Sequence, residues 1–535
     1  MVPRRRLLLG LILVLGAALR LALYLSRPSL SIDETMIGLE IGTRSFGGLV
    51  RALDYAQTGP PLFLWATKLA AVVAGMSEYA LRIIPLTAGL VLPYLTWRVG
   101  RRMLEAPHAL LATAIAAAAP TLVQYSVIAK PYITDGLVAL VLALCTLRVL
   151  ERPQARGPWM WLGVAGLAAV LGSVPAPFLL AGVATALLLG VRPLMPAALR
   201  LGACVAAWGA AFLPLYLRLY RPVAASDYMQ QFWGDSFFAP ARVEGWGLLG
   251  RVAVQSLAAR PIPVVVILPI VVLLGGGLWA LARRNGRAIA ALLGVPLLLL
   301  LGASLVHRYP LSARLLLAIV PTLALCAAAG VAALVGSHRR IGWTLGGLLV
   351  AALAAVNLSH PYRTPALRPA VIALRVTAAP TDPIYVSSGA LPAWAFYSTD
   401  WSAPDTAYLR RIRDWAGDPE APAYHNLAPR GRAVTASDGQ NLELRRSDRL
   451  EIIGLASGIQ WREVSGLTGR APDAGWAERE AERIRGTGPV AWLLIANAYA
   501  ETATDLLAAL RAAGGHVDVD SAEHGARRVR VRFAP

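Results

Sequence analysis

Asp33 and Glu34 stand side by side just past the first long apolar run of this chain. A carboxylate at the mouth of a membrane can act as a general base on a hydroxyl, or help to hold a divalent metal ion. A pair of acids can equally be a solvated loop, so its meaning depends on what else reaches the same place. Lys130-Pro131-Tyr132-Ile133-Thr134-Asp135 opens a later apolar run. Pro131 suits the first helical position, and Asp135 then lies about one turn inside, where an ionisable group is expensive and usually functional. His307-Arg308-Tyr309-Pro310 and Arg314 sit between two further runs. Arg314 needs an anionic partner, and a lipid phosphate, Asp135 or ordinary headgroups would each serve. Lys68 and Lys130 are the only lysines among 51 basic residues, and a compact ammonium differs chemically from a planar guanidinium. The bland alternatives are that Lys130 snorkels with Asp135 as its partner, and that His307 is structural.

These residues need elements to hold them. The mean hydropathy is +0.55 and 56% of the chain is hydrophobic, which places it in the membrane class. Apolar runs predict about eleven spans, near 7–25, 80–99, 108–124, 132–150, 158–172, 176–191, 198–217, 261–282, 288–306, 311–335 and 341–357. Residues 4–25 read as an uncleaved first span, since Tyr24-Leu25-Ser26-Arg27 makes a poor signal-peptide cleavage site. Segment 60–76 reads as an interfacial or re-entrant helix starting at Pro60-Pro61. Short arginine clusters flank the spans: Arg4-Arg5-Arg6, Arg98/Arg101/Arg102, Arg148/Arg152/Arg156, Arg192/Arg200, Arg283/Arg284/Arg287 and Arg339/Arg340. Basic flanks mark the cytoplasmic side. With all six clusters inside, Asp33, Glu34, Lys130, Asp135, His307, Tyr309 and Arg314 fall together on the outer face. Two long outer loops result, 26–79, which carries Gln57, and 218–260.

The domain reading is a transmembrane part over 1–360 and an extracytoplasmic α/β domain over 361–535. In that tail Ile384–Val386 and Val490–Ile495 read as buried strands and 475–485 and 500–513 as amphipathic helices. A closing strand pair falls at about 516–519 and 527–533. Charge follows the same division. Residues 1–360 hold 30 Lys+Arg against 11 Asp+Glu, and 361–535 hold 21 against 20. The net +20 therefore belongs to the membrane part. It argues for anionic lipid or a phosphate-bearing ligand and gives no case for nucleic acid. Three cysteines, Cys145, Cys204 and Cys326, all lie in predicted spans, so no disulfide framework exists. No Walker A loop, dinucleotide loop, HExxH or GxSxG occurs in a credible context.

Four stretches together resemble the GT-C class of integral-membrane glycosyltransferases. The likeness is to the dolichyl-phosphate-mannose-protein mannosyltransferase-like group and its bacterial relatives, the lipid A aminoarabinose and RgtA/B/C/D-like transferases. The stretches are Ser31-Ile32-Asp33-Glu34, then Gln57-Thr58-Gly59-Pro60-Pro61-Leu62 with Lys68 and Ser77–Arg82, then Lys130-Pro131-Tyr132 with Asp135, and last Tyr309-Pro310 with Arg314 and Pro321. The resemblance implies a polyprenyl-phosphate sugar donor, with Asp33 deprotonating the acceptor and Glu34 and Asp135 as further acids of the reaction centre. It also implies basic and polar residues around the donor phosphate and substrate: Lys130, Tyr132, His307, Tyr309, Arg314, Gln57 and Lys68. Some members bind a divalent metal ion, for which Asp33 and Glu34 are the candidate ligands here. Gly59 stands where some relatives have lysine, and Ile128 where relatives often have an acid.

The resulting expectation is a multi-pass protein of the bacterial inner (plasma) membrane, with its N-terminus cytoplasmic and its C-terminal domain outside. It would transfer a sugar from the polyprenyl-phosphate donor to a hydroxyl of a lipid, glycan or protein acceptor. The alternative is a non-catalytic or diverged protein handling lipid-linked glycans, as a flippase or assembly scaffold. A flippase would need polar residues through the whole membrane, whereas here they gather on one face.

Overall fold

The computed structural model describes residues 3–260, 264–416, 442–446, 449–454, 475–496 and 500–534. It is a helical membrane part carrying an α/β domain, as the apolar runs and the alternating tail imply. The membrane part comprises α1 (Pro3–Leu25), α2 (Ile32–Thr43), α3 (Pro61–Ala74), α4 (Glu78–Met103), α5 (Ala106–Ala118), α6 (Pro120–Gln124), α7 (Tyr132–Glu151), α8 (Arg156–Gly172) and α9 (Ala176–Gly190). It continues with α10 (Leu194–Leu215), the short α11 (Arg221–Ala224) and α12 (Asp227–Phe232), then α13 (Val243–Ala258), α14 (Val264–Leu305), α15 (Val320–Ser337) and α16 (Arg339–Ser359). Seven of the described helices, α1, α4, α7, α10, α14, α15 and α16, are long and apolar enough to cross a membrane. The pair α5 and α6 makes an eighth if its 54° bend is counted within one span.

Each predicted span falls on helix, with three adjustments. The spans at 261–282 and 288–306 are two arms of α14, which meet at Gly286 (φ 81), and residues 261–263 lie outside the described part. Residue 131 caps α7 instead of starting it. The span predicted from 311 begins only at Val320, after irregular backbone and a 3-10 turn over Leu317–Ile319. Arg314 is therefore in a loop and not inside a helix.

Contacts sort the helix ends. Tyr24 donates to the Tyr79 carbonyl at 2.9 Å, so α1 ends where α4 begins. Arg102 pairs with Glu151 at 2.9 Å, Arg284 with Glu105 at 3.4 Å, and Arg200 donates to the Pro153 carbonyl at 2.9 Å. Asn357 donates to the Ala118 carbonyl at 2.7 Å, which leaves Arg339 and Arg340 beside the start of α5. All six arginine clusters thus share one end of the bundle, and α2 lies at the other. Both ends of α3 stay at that second end. Leu62 lies against Gly172 at the close of α8, and Ala74 leads directly into α4. Its Leu69, Val72 and Val73 are exposed, as an interfacial helix requires.

The tail holds α17 (Leu367–Thr377), α18 (Leu391–Ser398), α19 (Thr406–Ala416), α20 (Trp476–Arg485) and α21 (Ala500–Ala512) around six strands. These are β1 (Ile384–Ser387), β2 (Leu442–Arg446), β3 (Arg449–Gly454), β4 (Val490–Ala496), β5 (Gly515–Glu523) and β6 (Ala526–Phe533), in the order β2-β3-β1-β4-β6-β5. Central β1 runs parallel to β3 and β4, and the outer pairs are antiparallel. One face packs under α20 and α21. The other face forms a core continuous with the membrane part, where Ile384, Val386, Trp394 and Phe396 join Ile37, Ile41, Leu64 and Leu81. A polar clamp reinforces this seam. Buried Glu78 receives Arg27 at 2.9 Å, Arg368 at 2.9 Å and the Tyr397 hydroxyl at 3.1 Å. Tyr397 Oη also accepts from the Leu30 amide at 2.7 Å, and Thr364 donates to the Ser29 carbonyl at 2.7 Å. The domain is thereby fastened to the segment that leads into Asp33.

Candidate active site

Helix α2 starts with a capping box: Ser31 Oγ accepts from the Glu34 amide, and the Glu34 carboxylate accepts from the Ser31 amide at 3.0 Å. This cap sends the two neighbouring acids in opposite directions. Glu34 turns inward and is completely buried. Arg82 Nε reaches its Oε1 at 2.8 Å and Nη2 its Oε2 at 2.9 Å, while the Ala129 amide donates to Oε1 at 2.8 Å. Arg82 spends its remaining donors on the Pro28 and Ser29 carbonyls. Asp33 turns the other way, into a cavity of about 660 Å³ at the end of the bundle away from the arginine clusters.

That cavity collects most of the residues the sequence singles out. Asp33, Gln57, Lys130, Tyr132, Asp135, His307, Tyr309 and Arg314 all line it, drawn from four separate segments. Arg314 Nη1 lies 3.2 Å from Asp33 Oδ2. Its guanidinium is flanked by Trp233, 4.8 Å from the ring centre, and by Phe232 at 5.8 Å, a stacking that orients the fork. Lys130 Nζ donates to Gln57 Oε1. It makes no ion pair with Asp135, which removes the snorkelling alternative. Tyr309 donates to the Leu315 carbonyl at 2.9 Å and meets Phe178 edge-on. His307 stacks on Phe237 at 4.6 Å.

Burial opposes ionisation of Asp33, but the Lys130 and Arg314 charges outweigh it and hold its carboxyl below the ordinary range. Burial also lowers Lys130, and the Asp33 charge offsets part of that. Tyr309 is pushed well above the usual phenol range by burial, so it serves as a neutral hydroxyl. One pole of the cavity is thus a carboxylate facing two cations.

The other pole is different. Asp135 is 3% exposed; its carboxylate lies beside the Ser173 hydroxyl and the Val174 amide, but its Oδ1 makes no hydrogen bond of ordinary geometry. The Tyr220 hydroxyl is likewise buried without a hydrogen bond, and Val174 and Tyr220 line the cavity with Asp135. Buried polar atoms left unsatisfied call for a ligand or water. Between the poles the wall is aromatic and aliphatic, with Phe178, Phe212, Tyr216 and Phe237.

Two expected site residues lie elsewhere. Glu34 cannot serve as a catalytic acid or metal ligand, because Arg82 and two backbone amides already occupy its oxygens. Lys68 donates to the Ile41 carbonyl at 2.8 Å and faces Phe46, outside the cavity. The Asp33–Glu34 pair does not fit a metal ion, since the two carboxylates diverge, and no cluster of three or more His, Cys, Asp or Glu occurs among the described residues. Conversely, Phe232, Trp233 and Tyr220 belong to the site and carry no motif. Only the polar and aromatic crowding of loop 218–260 hints at the first two.

The fold is of the GT-C kind found in integral-membrane glycosyltransferases. Residues 58–214 match the dolichyl-phosphate-mannose-protein mannosyltransferase family. The chain is similar in fold to ArnT from Cupriavidus metallidurans bound to undecaprenyl phosphate, with a TM-score of 0.52 and 16% identity over 99% of this chain and 98% of that one. Apo ArnT gives 0.49 at 16% identity, over 98% and 99%. The Archaeoglobus fulgidus oligosaccharyltransferase complexed with Zn and sulfate gives 0.44 at 15% identity, over 72% of this chain and 60% of that one. No curated protein matches the sequence.

Proposed function

We propose that the protein transfers a sugar from a polyprenyl-phosphate donor to an acceptor hydroxyl, at the extracytoplasmic face of a bacterial inner membrane. The observation that carries this reading is the convergence of Asp33, Arg314 and Lys130 in one cavity. The face follows from the arginine clusters, which collect at the opposite end.

The cavity chemistry divides accordingly. Arg314 and Lys130 receive the phosphate that joins sugar to lipid, and the apolar wall takes the first prenyl units. Asp135 and Tyr220 offer acceptors and donors to sugar hydroxyls. The acceptor oxygen attacks the anomeric carbon, the bond from that carbon to the phosphate oxygen breaks, and Asp33 takes the acceptor proton. The electron pair of the broken bond leaves on polyprenyl phosphate, held by the two cations. Attack opposite the leaving group inverts the anomeric centre.

The resting site has a further property. Asp33 is a weak base while Arg314 lies against it. A bound phosphate competes for Arg314 and Lys130, and its own negative charge raises the affinity of Asp33 for a proton. Donor binding therefore makes the base stronger. A divalent metal ion has no ligand set at Asp33 and Glu34, so no step is assigned to one.

Asp33→Asn tests the reading. Transfer from a panel of polyprenyl-phosphate sugars should fall about 10²–10⁴-fold, the usual loss for a positioned base. Binding of undecaprenyl phosphate should hold or tighten, because Arg314 is released. Full transfer by the variant would remove Asp33 from the mechanism.

A further inference from the structure

Helix α1 is exposed along most of its length, and its buried residues are Gly16 and Arg20, one turn apart on a single face. Arg20 is 0% exposed within a predicted span, an expensive place for a cation. No carboxylate pairs with it among the described residues. Instead Nη1 donates to the Gly16 and Ala117 carbonyls, both at 2.9 Å, Nη2 to the Ala116 carbonyl at 3.2 Å, and Nε to Ser126 Oγ at 3.1 Å.

The break between α5 and α6 explains these partners. The helical donor to the Ala116 carbonyl would be residue 120, which is proline and has no N–H. The 54° bend also leads the chain away from the end of α5. Within a membrane such carbonyls must find other donors. A helix C-terminus also carries partial negative charge. A guanidinium supplies several donors and the opposite charge at once. The packing leaves room for it. A Cβ on Gly16 would lie 2.8 Å from Ala117 Cβ, and one on Gly89 of α4 would lie 2.0 Å from Ser126 Oγ.

The fourth bond connects this repair to the cavity. Ser126 begins a short bridge of chain that ends at Lys130. Arg20 holds its first residue, and the Ala129 amide is held by Glu34, which Arg82 fixes in turn. Neither arginine lines the cavity. We propose that Arg20 is a positioning residue, which sets the location of Lys130 by bracing the α5–α6 break and the bridge that follows it. Its value to catalysis rests on the reading of Lys130 as a phosphate ligand; the bracing itself does not.

The two lysines supply the test. The full chain, in lipid nanodiscs, is treated with an amine-acylating reagent, and modification at Lys130 and Lys68 is mapped by peptide mass spectrometry, with Lys68 as the internal reference. Arg20→Met should raise the relative rate at Lys130 about tenfold or more, since a buried hydrogen-bonded set is lost and the bridge opens locally. It should weaken undecaprenyl phosphate binding by a similar factor. Arg20→Lys restores the charge and should recover part of both. Ser126→Ala cuts the link to the bridge, together with the bond from the Ser126 hydroxyl to the Leu122 carbonyl, and leaves the other Arg20 bonds in place; it should act in the same direction, less strongly, and it carries the test if Arg20→Met does not fold. Unchanged Lys130 modification in a cooperatively unfolding Arg20→Met, or in Ser126→Ala, overturns the proposal. Faster modification with undiminished undecaprenyl phosphate binding upholds the bracing and instead sinks the phosphate reading.

Discussion

Two carboxylates that are neighbours in the sequence each pair with an arginine, and the two pairs have opposite fates. In Glu34–Arg82 the side chains are 0% and 2% exposed, and carbonyls and amides saturate both partners. In Asp33–Arg314 the side chains are 38% and 28% exposed, with one contact at 3.2 Å and the cavity in front. The first pair is sealed and cannot be exchanged for a ligand. The second is loosely made and open to competition from an anion. Proximity of charge is the same in both, and it is saturation that separates a strut from a site.

The largest effect should come from the sealed pair. Glu34→Gln or Arg82→Met leaves one buried charge unmatched, which costs about 3–5 kcal/mol. Thermal unfolding of the detergent-solubilised protein should show this as a large loss of stability. A variant of either kind that unfolds like the wild type would erase the contrast between the pairs.

At the open pair the cost should move from stability to binding. On the proposed reading Arg314→Ala removes a charged hydrogen bond to the lipid phosphate and should weaken undecaprenyl phosphate binding about 10–100-fold. Its stability should change by about 1 kcal/mol or less, as for other partly exposed pairs. Calorimetry with undecaprenyl phosphate measures the first and thermal unfolding the second. The reverse outcome would make Arg314 another strut.

A smaller effect should appear in the pH dependence of binding. Burial lowers Lys130 below the ordinary lysine range, so its cation is lost earlier than usual as pH rises. Asp33, held low, stays ionised throughout. Undecaprenyl phosphate affinity should therefore rise through the second phosphate ionisation at about pH 6 and then decline on the alkaline side. Lys130→Arg keeps the cation and should abolish that decline, a difference of about tenfold at most. An alkaline decline that persists in Lys130→Arg would assign it to another group.

Much of this was legible in the chain. The apolar runs are long enough to demand helices, and the arginines mark their common end. Eight of the ten singled-out residues reach one cavity because the loops and helix starts that carry them meet at the same end of the bundle. What escaped has physical reasons. Ser31-x-x-Glu34 is a readable capping signature that turns a glutamate back on its own backbone, and it could have separated Glu34 from Asp33. The partner that seals Glu34, however, lies 48 residues away, and sequence spacing does not show it. Arg20 was invisible inside an apolar run. Only the bend at Pro120, on another helix, gives it a purpose. The start of the span at 311 was misplaced because Leu311, Leu315 and Leu316 are apolar yet belong to irregular backbone that shapes the site.

The seam between the domains has a consequence for how the protein is made. The Ser29 carbonyl, which Arg82 already reaches, gains its second donor from Thr364, 335 residues downstream, and the Leu30 amide waits for Tyr397, 367 residues downstream. Translation runs from N- to C-terminus, so the segment that presents Asp33 is in the membrane long before its holders are synthesised. Glu78 likewise has only Arg27 until Arg368 and Tyr397 arrive. Insertion and maturation are therefore separate events. A nascent chain can form its helices and the Ser31–Glu34 cap first, while the last bonds to the segment before Asp33 form only once the tail has folded against it.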